Sequence, residues 1–478
     1  MGARVDAGYD AGVTRPTLAR LPVALLVAAL IAGALPALAP DSASARTLLD
    51  RRIEPASAPA ATAIVPGSVD RTSLHLRATY STTLRLSYSS RSFRVHSTAT
   101  ITNTSGGPID RVELNTAVAR LGGMRLTSAL VDGTSVTAKV SDQTIVVPLG
   151  GVLPDGATTV VRIKYTATLR TSLSGSSWLF TKANGIVNAY RWLPWVSRET
   201  PFDRPNHGDP FVTPSSPLVR VTVITDRPLV VVTTGDRTFR SADRLTQRFE
   251  ARDVRDMTLA AAPDFKTRTA TVGDTTIRYV YRSATNAQAT LDAAANAFRR
   301  TQERLGDYPY PDFKVVQSAG GYGMEAPRMI WIPYGVSSAN LRYLVAHETA
   351  HHWFYGLVGN DQARQPFADE AAADFVARFV TSTKRSSRCP TGRLELSIYK
   401  YTASCYYERV YIQGGNLLDA ARRTMGSTAF WGALRAYVAA NRHGIATNRT
   451  LLTALDEATP IDLGAPATLF GPRFPKIY

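Results

Sequence analysis

His347-Glu348-Thr349-Ala350-His351 places two histidines four residues apart, with a glutamate beside the first. On a helix, positions i and i+4 share one face, a turn apart. Two imidazoles so placed can hold one zinc ion, and the glutamate can reach a water on that metal. Three of the chain's seven histidines fall within six residues here, His352 being the third. His352 points about 100° away from His351 around the helix and is read as packing, not as a ligand. His75, His96, His207 and His443 stand alone and are read as structural or exposed.

A catalytic zinc keeps three protein ligands and one open position, so a third His, Asp or Glu is required. The next segment with helical periodicity is 367–380, where Phe375 and Phe379, and Val376 and Val380, recur one turn apart. Glu370 lies near its start, just after Pro366, and eighteen residues separate it from His351. Asp374, one turn on, is read in two ways: as a carboxylate orienting a ligand histidine, or as a solvated helix aspartate. Asn360 and Asp361 fall where the chain must turn between the two ligand helices.

HExxH, eighteen residues and Glu form the gluzincin pattern, and the flanking residues carry the likeness further. The runs 351–361 and Asp369-Glu370, the segment Gly320-Gly321-Tyr322-Gly323-Met324-Glu325-Ala326-Pro327, its lead-in Gly306-Asp307-Tyr308-Pro309-Tyr310, and Val410-Tyr411-Ile412-Gln413-Gly414-Gly415 resemble the aminopeptidase N family of zinc metallopeptidases. The resemblance covers roughly residues 75–460, with its specific motifs between 306 and 415.

It implies one Zn2+ ion held by His347, His351 and Glu370, with Glu348 moving the proton of the attacking water to the leaving amine. It implies that Tyr411 donates to the developing oxyanion. Glu325 matches the family's anchor for a free amino terminus, where a carboxylate selects an ammonium that internal peptide nitrogens lack. Met324 belongs to the same motif, and Gly320 and Gly321 would let backbone approach the substrate closely. Two departures stand out. Ala326 replaces the motif's usual Asn, which leaves endopeptidase action as the alternative, and Ala371-Ala372 replace the usual Gly-Phe after the ligand glutamate. A peptide-binding envelope protein on the same scaffold is the alternative from another class, and it predicts an eroded ligand set.

These residues need elements to hold them. From Thr72 to about Phe265, short alternating segments such as 93–101 and 160–165 are punctuated by turn signals at 106–108, 131–133 and 154–156. This predicts an N-terminal antiparallel β-sandwich-like domain over 72–266. Asp203–Pro217 reads as a long surface connection. Residues 267–478 are expected to form a thermolysin-like, mostly α-helical catalytic domain with a small sheet, giving a multidomain α+β chain. Strands are expected at 276–281, 313–317 and 329–333, and helices at 288–305, 338–356, 367–384, 394–408, 413–425, 427–441 and 448–457. The resemblance also implies a more open cleft than in relatives with a large C-terminal helical domain.

Residues 1–45 read as a signal peptide or an N-terminal anchor. Arg15 and Arg20 precede an uncharged apolar run from Leu21 to Ala39, and Ala37-Leu38-Ala39 and Ala43-Ser44-Ala45 are small-x-small cleavage candidates. The run is long enough to span a bilayer, so membrane association stays open beside secretion or a cell-envelope location. Residues 46–71 are Ala/Ser/Pro-rich and read as a disordered linker. In an exported chain the only cysteines, Cys389 and Cys405, suggest a disulfide worth about 3 kcal/mol in the chain-entropy model, with free thiols the alternative. The net charge of +17 is scattered, without a Lys/Arg run or a nucleic-acid module. Peptides, not nucleic acids, are the expected partners, and the basic charge favours anionic envelope polymers or lipid headgroups.

Overall fold

The computed structural model describes residues 63–478 apart from 205, 284 and 285. The expected signal or anchor segment and most of the linker lie outside the described residues. Residues 63–71 depart from the linker reading. Val65 pairs with Val152, and the Asp110 carboxylate accepts hydrogen bonds from Ser68 Oγ and the backbone N–H groups of Val69, Asp70 and Arg71 at 2.7–3.1 Å. A fixed acceptor satisfies successive backbone donors there, and Ala63 and Ile64 pack against the core.

An eight-stranded sheet forms the N-terminal half. Its strand Leu76–Leu86 alternates buried and exposed residues along its length, as a half-buried strand must. Ser92–Asn103 pairs with it antiparallel, whereas Val219–Thr225 pairs with it in parallel. The sheet is therefore mixed where an antiparallel one was expected. Parallel pairing needs a long crossover, and the chain between these strands supplies it, carrying a short helix α1 (Ala117–Leu121), one four-stranded sheet and two strands of another on the way. One apolar core runs through all of them and continues past residue 266 into Val316, Met324, Ala326, Met329 and Trp331.

The second half begins with a five-stranded sheet ordered Lys266–Val272, Thr275–Tyr281, Asp312–Ser318, Met329–Pro333, Met324–Ala326. Helix α2 (Ala287–Leu305) connects Thr275–Tyr281 to its parallel neighbour Asp312–Ser318, a βαβ unit. Its Leu291, Ala294, Phe298 and Leu305 point into a second core. Helices α3 (Ser338–Ala350), α4 (Ala372–Thr381), α5 (Gly414–Met425), α6 (Ser427–Asn441) and α7 (Asn448–Asp456) complete the fold. Among the described residues no helix is long and apolar enough to cross a membrane.

Three expected elements differ. The helix predicted to 356 ends at Ala350, and wide turns follow, with the N–H groups of Gly356, Leu357 and Val358 bonding His351, His352 and Trp353. Trp353, Phe354, Tyr355, Leu357 and Val358 are all buried, a spread of apolar residues wider than one helical face can present inward. No helix spans 394–408; one short turn, Ile398–Lys400, lies there. That stretch is tied down by the Cys389–Cys405 disulfide and by contacts far away in sequence, such as Ile398 N to Ala363 O at 2.9 Å. Asp203–Pro217 is not a surface connection: Asn206, Asp209, Phe211, Val212, Thr213 and Ser216 are buried.

Candidate active site

α3 brings His347 and Glu348, and His351 caps its C-terminus. The helix is buried from Val345 to Ala350, and its His347 and Glu348 line an internal cleft. His347 Nε2 and His351 Nε2 are 3.1 Å apart, and Glu370 Oε2 stands 3.3 Å from the first and 3.4 Å from the second. Ligand atoms set tetrahedrally around zinc at 2.0–2.1 Å are about 3.3 Å from one another. Glu370 Oε2 is buried with no hydrogen-bond donor among the described residues. Three lone-pair atoms at this separation repel unless a cation or proton lies between them, so the set fits a zinc ion.

Glu370 and Tyr411 share a local device. Each lies in a π-helical turn, Phe367–Ala371 before α4 and Glu408–Gln413 before α5. Such turns, with i→i+5 bonds, are rare and concentrate at functional sites. The two turns pack together through small residues: a Cβ added at Gly414 would lie 2.6 Å from Ala371 Cβ. Ala371, one of the departures from the family pattern, thus sits at this contact. Gly414→Ala is expected to lose about 1–3 kcal/mol through overpacking, read as a lower unfolding midpoint together with reduced activity.

Tyr411 stacks on the His347 ring with centroids 5.4 Å apart. Burial, and next the Glu370 carboxylate, hold its hydroxyl well above the ordinary phenol range, so it keeps its proton to donate. Burial likewise raises Glu348 well above the usual carboxylate range; His351 opposes the rise, and Glu325, Glu370 and Asp209 add to it. A bound cation acts against such a rise. Burial lifts Glu325 to about 7, with His351 pulling down and Asp369 and Glu370 pushing up. Burial alone would raise Glu370, but the His347 and His351 imidazoles beside it outweigh that and hold it low.

Glu325 sits on the edge strand Met324–Ala326. One of its oxygens, one of Glu348's and a His351 ring nitrogen lie within 4.8 Å of one another. Glu325, Met324, Gly321, His347, Glu348, His351, Glu370 and Tyr411 line one cavity of about 580 Å3. Gly320 does not line it. Gly321 has φ +95° and packs on Trp178, where a Cβ would fall 2.2 Å from the indole. Both the positive φ and that contact with the β half require a glycine there, at a position that also lines the cavity. Ala326 is buried in the core and does not line the cavity.

Asp374 does not reach a histidine. It accepts a hydrogen bond from Tyr343 Oη and pairs with Arg378 at 2.7 Å, fully buried. The orienting carboxylate is Asp369, which accepts from His351 Nδ1 at 2.6 Å. That bond fixes the tautomer and leaves the Nε2 lone pair facing Glu370 and His347. Gln362 Nε2 then donates to Asp369 Oδ2 at 2.8 Å and to Glu325 Oε1 at 2.9 Å, joining the histidine cluster to the glutamate. The sequence marks Asp369 only within its motif and does not mark Gln362; a carboxylate immediately beside a ligand glutamate is the available signal for the first. Arg204, Asn206, His207 and Asp209 also line the cavity, although their segment reads as connection. His352 packs edge-on against Phe313 at 4.5 Å, away from the cavity.

No family model matches the chain, and no curated protein matches it in sequence. Solved structures do match. A mutant M1 zinc metallopeptidase from Deinococcus radiodurans superposes with a TM-score of 0.64 at 20% identity, covering 87% of this chain and 97% of that one. Another structure of M1 zinc metallopeptidase from that organism gives 0.62 at 20% identity, over 83% of this chain and 93% of the other. A mutant bound to the substrate Tyr-Ser-Ala gives 0.61 at 20% identity, over 85% and 94%. The chain therefore has the multidomain fold of M1 zinc metallopeptidases, in mixed sheets and helices, with a buried His, His, Glu cluster in its cleft.

Proposed function

We propose that this chain is an exported zinc-dependent metallopeptidase that removes residues from the amino termini of peptides. The observation that carries the reading is the convergence of His347, His351 and Glu370 at 3.1–3.4 Å beside Glu348, Tyr411 and Glu325 in one cavity. Its likeness in fold to M1 zinc metallopeptidases supports it.

A zinc ion held by His347, His351 and Glu370 would polarise the scissile carbonyl and lower the pKa of water to about 7. Glu348 takes the proton of the attacking water and delivers it to the leaving nitrogen. Tyr411 donates its hydroxyl proton in a hydrogen bond to the developing oxyanion. Glu325 pairs with the substrate ammonium, which sets the register so that the first peptide bond lies at Glu348. Asp369 keeps His351 in its metal-binding tautomer. Asp369→Asn is expected to weaken zinc binding by about 10- to 100-fold, measured by competition with a chelator.

Export is supported by the apolar segment Leu21–Ala39 and by the Cys389–Cys405 bond, since disulfides persist in oxidising compartments. A retained anchor would instead keep the enzyme at the membrane. Digestion of a peptide library followed by mass spectrometry tests the cleavage register. Stepwise loss of N-terminal residues is expected. Cleavage of N-terminally blocked peptides as fast as free ones would replace this reading with an endopeptidase.

A further inference from the structure

We propose that Arg385 anchors the carboxylate of a short peptide substrate, making the cleft selective for zwitterionic peptides of a few residues. The inference rests on the peptidase reading and specifies its substrate class. Two arginines line the cavity, Arg204 and Arg385. Arg204 is committed: its Nε and Nη2 donate to the carbonyls of Gly208 and His207 at 3.0 and 2.7 Å, and it pairs with Asp209 at 2.9 Å. Arg385 is not. Its Nη1 donates to the Tyr407 hydroxyl, and its other N–H groups have no protein acceptor among the described residues. No carboxylate there forms an ion pair with it. A guanidinium with open donors on the wall of a cleft suits a planar carboxylate.

The contacts around the histidines separate this cation from Glu325. The guanidinium lies 3.8 Å over the Tyr343 ring, and Tyr343 stacks on His347 at 5.9 Å. Glu325 is joined through Gln362 and Asp369 to His351 instead. A carboxylate on the His351 flank and a guanidinium on the His347 flank match the two ends of a zwitterion. A cavity of about 580 Å3 is in the small-ligand range.

The backbone that carries Arg385 is also tied down. Asn416 Nδ2 donates to its carbonyl at 3.2 Å. Gln413 Nε2 donates to Ser387 Oγ at 3.0 Å and Cys389 O at 2.9 Å, and the Cys389–Cys405 bond closes the segment. A guanidinium carried on an anchored backbone and resting on Tyr343 and Tyr407 loses less entropy on binding than one on a free segment.

The test compares kcat/KM for a tripeptide with a free carboxylate and for the same tripeptide as its C-terminal amide, with an aminoacyl 4-nitroanilide as reference. The wild-type chain is expected to favour the acid by about tenfold or more. In Arg385→Ala and Arg385→Gln that ratio should fall to near one, with the change carried by KM. A wild-type ratio near one overturns the proposal without any variant, and so does a ratio that persists in both. Anilide turnover with no acid preference removes the role of Arg385 alone. No turnover of any substrate by the zinc-loaded chain removes the peptidase reading and the anchor with it.

Discussion

Glu348→Gln lowers kcat by a factor of about 100 to 10,000 and leaves zinc in place. The amide keeps the size of the carboxylate, which matters because Glu348 is buried and its oxygen fills space that a side chain at Gly323 would need, 2.2 Å from that glycine's ideal Cβ. Glu348 is outside the triad of ligand atoms formed by His347, His351 and Glu370, so its loss removes a proton carrier and not a ligand. The deficit should be the same for good and poor substrates, because the proton moves in every turnover. Turnover within a few-fold of wild type would remove Glu348 from the chemistry.

Tyr411→Phe should reduce kcat by about 100- to 1,000-fold with little change in KM. The substitution retains the ring that stacks on His347 at 5.4 Å and packs at a tilt against Tyr407 at 4.7 Å. It deletes only the hydroxyl, whose hydrogen bond matters as charge builds on the carbonyl oxygen. An effect confined to KM would instead mean that Tyr411 merely shapes the cleft. Comparing the two variants distinguishes proton transfer from oxyanion stabilisation, since only the first should flatten the acidic limb of the pH–rate profile, where the base becomes protonated.

How much of this site was visible in the residues depends on how local each relationship is. The His347–His351 pair follows from a period of one helical turn, and Glu370 from a fixed spacing, so both could be read along the chain. Helix α2 and the strands around it were likewise legible, because apolar periodicity and a βαβ order are local signals. The π-helical turns under Glu370 and Tyr411 were not. They depend on how Gly414 meets Ala371 across the fold, and a one-residue widening leaves no pattern in sequence. The histidine-orienting role belongs to Asp369, one residue from the ligand, and not to Asp374 one turn on; helical geometry alone had offered Asp374. Gln362 and the 203–217 segment gain their places from packing against elements more than a hundred residues away, such as Arg191 Nη2 on Gln362 at 3.3 Å. The parallel pairing of Leu76–Leu86 with Val219–Thr225 is hidden for the same reason.

The proposed chemistry requires a zinc ion held by His347, His351 and Glu370. Stripping the purified chain with a chelator and titrating zinc back, with metal content and peptide hydrolysis followed together, addresses it most directly. Activity should vanish on stripping and return in step with one zinc per chain, while Glu370→Gln binds zinc far more weakly and stays inactive. A folded chain that takes up no zinc, or that hydrolyses peptides equally well without it, would contradict the account.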